Sequence, residues 1–124
     1  MNVIIVFLGG GVGAALRYGA GVAALQVLGP TSFPWGTFAV NTVGCFFMGL
    51  LAMWLRGSDE PLTLWRLLLG IGVLGGFTTF SSFALESVDL LEAQPMLGAL
   101  YIAGSVMLGL GGLLAGMAFA RALL

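Results

Sequence analysis

The sequence predicts an all-α integral membrane protein with four transmembrane helices, and three observations support this fold class. Of its 124 residues 60% are hydrophobic and 7% are charged, whereas a soluble domain carries roughly a quarter charged residues. The four arginines and five acids are too few to cover a water-facing surface. They also lie far apart, since residues 18–55, 67–85 and 93–120 carry no charge. Because a spanning helix needs roughly 20 apolar residues, these intervals predict membrane spans.

The first uncharged interval has room for two helices and is divided by a turn sequence, Leu28–Pro34, that contains glycine and proline. We therefore predict a single transmembrane domain, 1–124, with helices at about 2–27, 34–55, 63–92 and 95–121. Trp35 and Trp54 bracket the second helix and Trp65 opens the third. This placement fits the preference of tryptophan for the membrane interface.

Helix 1 is rich in small residues and contains an arginine. Gly9–Ala14 fits the dinucleotide pattern G-x-G-x-x-[GA], but only eight residues precede it and the next acid is Asp59, so we discard that motif. Arg17 and the lack of a basic start favour a retained helix over a signal peptide. Arg17 either snorkels to the interface or faces a watery vestibule. Small residues recur every four positions, which lets helices approach closely, at Gly11, Ala15, Gly19 and Ala23.

Helices 2 and 4 each carry a polar face. In helix 2 the i, i+4 spacing aligns Thr37, Asn41, Cys45 and Gly49. Asn41 serves either a functional site or a hydrogen bond between helices. Helix 4 aligns Tyr101, Ser105 and Gly109, and it repeats the small-residue pattern at Gly112, Gly116 and Ala120. Because four short helices expose much surface for little interior, we expect a homo-oligomer.

Helix 3 is the least regular segment. Paired glycines at Gly75 and Gly76 are followed by Thr-Thr and Ser-Ser pairs, which are poor helix formers. We expect a break in helix 3 near the bilayer midplane, where irregular backbone is tolerated only if it lines a cavity or is buried in protein. The residues around such a break form either an ion site or a glycine hinge with aromatic filler. The candidates beyond the break are Thr79, Phe80, Ser82, Phe83 and Glu86.

The composition excludes several classes of function. The chain has no histidine and one cysteine, so one chain cannot assemble an ordinary zinc site, a Cys-His pair or a Ser-His-Asp triad. We therefore predict that the protein is not an enzyme. A net charge of −1 provides no basic surface for nucleic acid.

Three motifs together resemble the CrcB/Fluc family of fluoride channels. Gly9–Tyr18 resembles the first-helix motif of that family, and Pro34–Asn41 resembles its second-helix motif. Gly75–Phe83 resembles its most specific signature, GG-x-(T/S)TFS(T/S)F, and Glu86 stands in the matching place. Spacing, order and length agree over essentially the whole chain.

The resemblance implies passive, selective export of fluoride from the cytoplasm, which lowers its toxicity, across the inner membrane of a prokaryote. It implies an antiparallel, dual-topology homodimer with two pores. In that family two phenylalanine rings meet fluoride with their edges, and the matching residues here would be Phe80 and Phe83. Arg17 would lie near a vestibule of the pore. Gly109 departs from relatives that carry serine. The other residues matched to the fluoride pathway are Asn41, Thr79, Ser82, Tyr101 and Ser105.

The resemblance also implies a structural sodium ion on the dimer axis. The matching ligands are main-chain oxygens of Gly75 and Thr78 from both subunits. Hard cations prefer oxygen ligands, which fits this assignment. A buried cation would offset the cost of moving an anion through hydrocarbon.

Two other functions stay open. A small dual-topology multidrug exporter would need a carboxylate in helix 1, where this chain has only Arg17. A structural subunit without transport would not explain the Gly75–Phe83 run.

The basic residues give a weak signal of orientation in the membrane. Three of them lie on the side of the termini, namely Arg56, Arg66 and Arg121. This is a weak positive-inside bias, and it leaves open a partner chain of opposite orientation.

Overall fold

The computed structural model describes residues 1–57 and 64–123, and every regular element in these ranges is helical. The predicted start of helix 3, at residue 63, lies outside the described residues. Four helices are long and apolar enough to cross a membrane, which confirms the predicted class of fold. They are Asn2–Leu28, Trp35–Trp54, Arg66–Ala93 and Pro95–Leu123. We label the first two α1 and α2.

The third span is composed of several helical pieces. It begins with a π-helical segment, Arg66–Leu74, continues as a short helix α3, Gly75–Phe77, and ends as α4, Phe80–Ala93. Thr78 (φ −80°, ψ 156°) and Thr79 (φ −147°, ψ 119°) between α3 and α4 have extended backbone. The fourth span, Pro95–Leu123, is α5.

Glycines bring α1 close to the third span. Gly9 and Gly13 are buried, and a Cβ added at Gly9 would lie 2.6 Å from the carbonyl oxygen of Leu68. A Cβ at Gly13 would collide with the carbonyl oxygen of Val73. No side chain fits at either position, so glycine is what permits this approach of the two backbones.

The predicted small-residue stripe of helix 1 does not make this contact. Gly11, Ala15, Gly19 and Ala23 are exposed, and nothing lies within 4 Å of a Cβ added at Gly11 or Gly19. The expectation that this stripe packs on a neighbouring helix was therefore wrong within one chain. The reason is the helical period, since a shift of two residues from Gly9 and Gly13 reaches the opposite face.

The corresponding prediction for helix 4 is confirmed. A Cβ added at Gly112 would lie 3.2 Å from the carbonyl oxygen of Thr42, and one at Gly116 would collide with that of Phe46. Ala120 is buried as well. Close packing of α2 and α5 thus places the polar faces of these two helices beside the third span.

Candidate functional site: a polar groove at the extended residues of the third span

The extended backbone of the third span is paired with a side chain of α2. Asn41 Nδ2 donates to the carbonyl oxygen of Thr79 at 2.9 Å, and the amide of Thr79 donates to Asn41 Oδ1 at 2.8 Å. One carboxamide therefore satisfies both main-chain groups of Thr79, as a neighbouring strand would. This is the hydrogen bond between helices that the sequence left open as one of two roles for Asn41.

The Thr79 side chain caps the N-terminus of α4. Its Oγ1 accepts from the amide of Ser82 at 3.2 Å, which is the N-cap arrangement expected of threonine, and donates to Ser82 Oγ at 3.1 Å. Thr79 is only 7% exposed. A hydroxyl has one proton to donate, so Thr79 directs its proton to Ser82 while Ser82 keeps its own.

Glu86 joins three of the spans. Thr37 Oγ1 donates to Glu86 Oε1 at 2.7 Å, and the Tyr101 hydroxyl donates to Glu86 Oε2 at 2.8 Å. Tyr101 is fully buried. A carboxylate at membrane depth demands partners, and these two hydroxyls from α2 and α5 supply them.

Thr37 was absent from the predicted site residues. Its position four residues before Asn41 was the available signal, because that spacing places both side chains on one face of α2. Its partner Glu86 is 49 positions away in the chain, so the sequence did not reveal the pairing.

The two phenylalanines of the signature lie on one side of α4. The ring centroids of Phe80 and Phe83 are 5.7 Å apart with an interplanar angle of 47°. The Phe80 side chain is 80% exposed, whereas Phe83 is half-buried. Phe83 also packs on Tyr101, with centroids 5.3 Å apart. The buried Tyr101 thus supports the ring of Phe83, whereas the ring of Phe80 is left largely uncovered by the chain.

A groove of about 310 Å³ brings most of the predicted pathway residues together. Ser105 Oγ has no hydrogen-bond partner within the described residues. Gly109 leaves space beside the groove, since a Cβ added there would lie 3.5 Å from Cys45 Sγ. The lining includes Asn41, Thr79, Phe80, Phe83 and Ser105 together with Cys45.

Thr78 also lines this groove, whereas Arg17, Ser82, Glu86, Tyr101 and Gly75 are not part of its lining. Arg17, Thr37 and Ser82 line a second groove, of about 280 Å³, which Thr79 also borders. Tyr101 lies behind Phe83 with its hydroxyl on Glu86. Thr79 thus borders both the groove lined by Phe80 and Phe83 and the groove lined by Arg17.

The candidate cation ligands lie at the two ends of α3. Gly75 is its first residue and is exposed, and Thr78 follows its last residue with extended backbone. Among the described residues no cluster of three or more His, Cys, Asp or Glu is suited to a metal ion.

The fold and the grooves define the class of the molecule: a small multi-pass membrane protein with a polar site inside its spans. The chain belongs to the CrcB family, because the family described as CrcB-like protein, Camphor Resistance (CrcB), matches residues 4–117. This confirms the resemblance that the three motifs indicated.

Relatives from several bacteria match almost the full length. A protein of Novosphingobium aromaticivorans is 52% identical over 118 residues, which cover 94% of this chain and 93% of the relative. One of Caulobacter vibrioides is 49% identical over 97% of this chain and 95% of its own length. One of Rhizobium etli is 45% identical over 99% and 98%. Each of these relatives is named fluoride-specific ion channel FluC.

Proposed function

We propose that this protein is a fluoride-selective channel that exports fluoride passively from the cytoplasm. It is a multi-pass protein of the prokaryotic inner membrane, and it belongs to a family of ion channels and not of enzymes. The observation that carries the proposal is the groove in which Asn41, Ser105, Phe80 and Phe83 meet at membrane depth. No finding favours the multidrug exporter.

The groove suits a small anion that must keep moving. Phenyl rings are electropositive at their edges, so Phe80 and Phe83 attract an anion without the strong hold of a formal positive charge. An ion that is bound too tightly does not pass on to the next site. The Ser105 hydroxyl, which has no partner among the described residues, supplies a donor for the dehydrated ion.

The hydrogen bonds assign different parts to the polar residues. Asn41 Nδ2 has two protons, and one is used on Thr79, so the other serves the anion. Tyr101 directs its proton to Glu86, and its part in the pathway is therefore to hold Glu86 and to support Phe83. Ser82 presents its hydroxyl to the second groove, where Arg17 concentrates anions.

The functional unit is an antiparallel homodimer. A single chain leaves Phe80 80% exposed and leaves Gly75 on its surface, so one chain alone does not enclose the groove. A second copy of opposite orientation would cover these residues and complete two pores.

The proposed dimer holds a structural sodium ion. The exposed Gly75 and the extended Thr78 fit such a site, because hard cations prefer oxygen ligands and the backbone leaves helical geometry directly after α3. These residues of both copies would hold the ion by their main-chain oxygens. When bound, it supplies a positive charge near the anion path, which lowers the cost of moving fluoride through hydrocarbon.

Ion release from liposomes tests the proposed function. Purified protein is reconstituted in vesicles loaded with potassium fluoride and potassium chloride, and efflux is followed with electrodes selective for each anion after valinomycin is added. We expect rapid release of fluoride and retention of chloride. Equal release of both anions, or release of neither, would contradict the proposal.

A further inference from the structure

The extended residues of the third span redirect two backbone amides. In an α-helix each carbonyl oxygen accepts from the amide four residues later. In a continuous helix the Gly75 carbonyl would therefore accept from the Thr79 amide, and the Thr78 carbonyl from the Ser82 amide. The Thr79 amide donates instead to Asn41 Oδ1 at 2.8 Å. The Ser82 amide donates to Thr79 Oγ1 at 3.2 Å. Two side chains have therefore taken the donors of both carbonyls.

The Asn41 bond is well placed to keep this arrangement fixed. The same carboxamide also donates to the Thr79 carbonyl oxygen at 2.9 Å, so it holds Thr79 at both of its main-chain groups. Thr79 is 7% exposed, and water therefore has little access to replace either bond. Carbonyl oxygens without donors are costly inside a membrane, and a cation would relieve that cost.

We infer that Asn41 and Thr79 are positioning residues for the sodium site, because their side chains take the amides that would otherwise close helical bonds on the Gly75 and Thr78 carbonyls. The inference rests on the sodium site of the proposed function. It gives Asn41 a second role, since the same carboxamide lines the fluoride groove. Loss of its oxygen would therefore weaken sodium binding even where no anion is present.

Substitutions that keep shape but change hydrogen bonding test the inference. Thr79→Val keeps the branched side chain and removes the oxygen that accepts from Ser82, whereas Thr79→Ser retains it. Asn41→Leu removes both bonds to Thr79, and Asn41→Asp keeps only the acceptor. Thr42→Val is the matched control, because Thr42 is the next residue of α2 and its buried Oγ1 has no hydrogen-bond partner within the described residues.

The measurement is a sodium titration of the detergent-purified full chain in fluoride-free buffer, with N-methylglucamine as the replacing cation. The readout is the melting temperature together with the dimer fraction. We expect the sodium concentration at half-maximal stabilisation to rise about tenfold in Thr79→Val and Asn41→Leu, the scale of one lost hydrogen bond. Thr79→Ser and Thr42→Val should titrate like the wild type, and Asn41→Asp should fall between.

Separate results distinguish this inference from the proposed function. A sodium titration unchanged from the wild type in Thr79→Val or Asn41→Leu would overturn the positioning role. A wild-type protein whose stability ignores sodium would also overturn it, while fluoride release from liposomes would leave the channel function standing. If Thr79→Val fails to fold, Asn41→Leu still decides, because it removes the oxygen that accepts from the Thr79 amide while the control Thr42→Val reports on substitution in α2 itself.

Discussion

At the scale of single residues, most polar groups around the two grooves are neutral hydroxyls and an amide, and most of their protons have partners within the chain. Tyr101 and Thr37 donate to Glu86, and Thr79 donates to Ser82. In the groove lined by Phe80 and Phe83, the N–H and O–H donors left for an anion are the Ser105 hydroxyl and the second proton of the Asn41 amide. In the proposed channel, such weak donors and ring edges would hold an anion without trapping it.

The ring of Phe83 is expected to set the rate of fluoride passage. Phe83→Ile keeps an apolar side chain and removes the electropositive ring edge, so fluoride release from liposomes should slow by at least tenfold, roughly the value of one aromatic contact. Phe7→Ile is the control, since Phe7 is exposed on α1 far from the groove in sequence and outside its lining. An unchanged rate in Phe83→Ile would remove the role assigned to the ring.

The two hydroxyls on Glu86 are expected to stabilise the fold jointly. Tyr101→Phe removes one hydrogen bond to the Glu86 carboxylate, and Thr37→Val removes the other. Each substitution should lower the free energy of unfolding by about 1–3 kcal/mol. Because both bonds end on one carboxylate, the double substitution should not be additive. Denaturant titration of all four proteins measures this, and strict additivity would show that the two bonds act independently.

At the scale of elements, small residues decide how close the helices come. Gly9 and Gly13 place α1 on the third span, and Gly112 and Gly116 place α5 on α2. Gly44 has the same effect on the site, because a Cβ there would collide with Cγ2 of Thr78. The extended residues therefore occupy their position only because α2 has no side chain at that point.

Two glycines of α5 provide a matched test of this packing. Gly116→Ala would place a methyl group against the carbonyl oxygen of Phe46, whereas nothing lies within 4 Å of a Cβ added at Gly111. We expect Gly116→Ala to lose about 1–3 kcal/mol of stability, the usual cost of overpacking, and Gly111→Ala to lose none. Melting temperatures in detergent check this, and an equal effect of both substitutions would contradict it.

At the scale of the whole molecule, four spans leave much apolar surface facing outward. Large side chains on every span are exposed, including Phe7, Trp54, Phe80 and Leu110. In a bilayer this surface meets lipid or a second copy of the chain. In the proposed dimer, a second copy would cover the exposed Phe80 next to the groove.

The proposed antiparallel dimer predicts that the chain inserts in both orientations. In a Cys45→Ser background, a cysteine added at the C-terminus should react with a membrane-impermeant maleimide in about half of the chains in intact cells, because opposite orientations place it on opposite sides. Lysed cells give the value for complete labelling. Labelling of all chains or of none in intact cells would exclude dual topology.

The sequence by itself determined the membrane class, the four spans and the family. Charge spacing carried the first two, since nine charged residues in 124 leave apolar runs of spanning length, and these properties follow from local composition. It also identified Phe80, Phe83 and Ser105 as candidates, which the structure brings to one groove with Asn41 and Thr79.

The tertiary structure determined which residues of different helices contact each other. Asn41 bonds to Thr79, 38 positions away in the chain, and Thr37 bonds to Glu86, 49 positions away. On α1 the third span is contacted by Gly9 and Gly13 and not by the stripe that begins at Gly11. The physical reason is that a helix pattern shows which residues share a face, whereas the neighbour of that face depends on how separate helices are placed. Only that placement showed that the Asn41 carboxamide forms hydrogen bonds with both the amide and the carbonyl oxygen of Thr79.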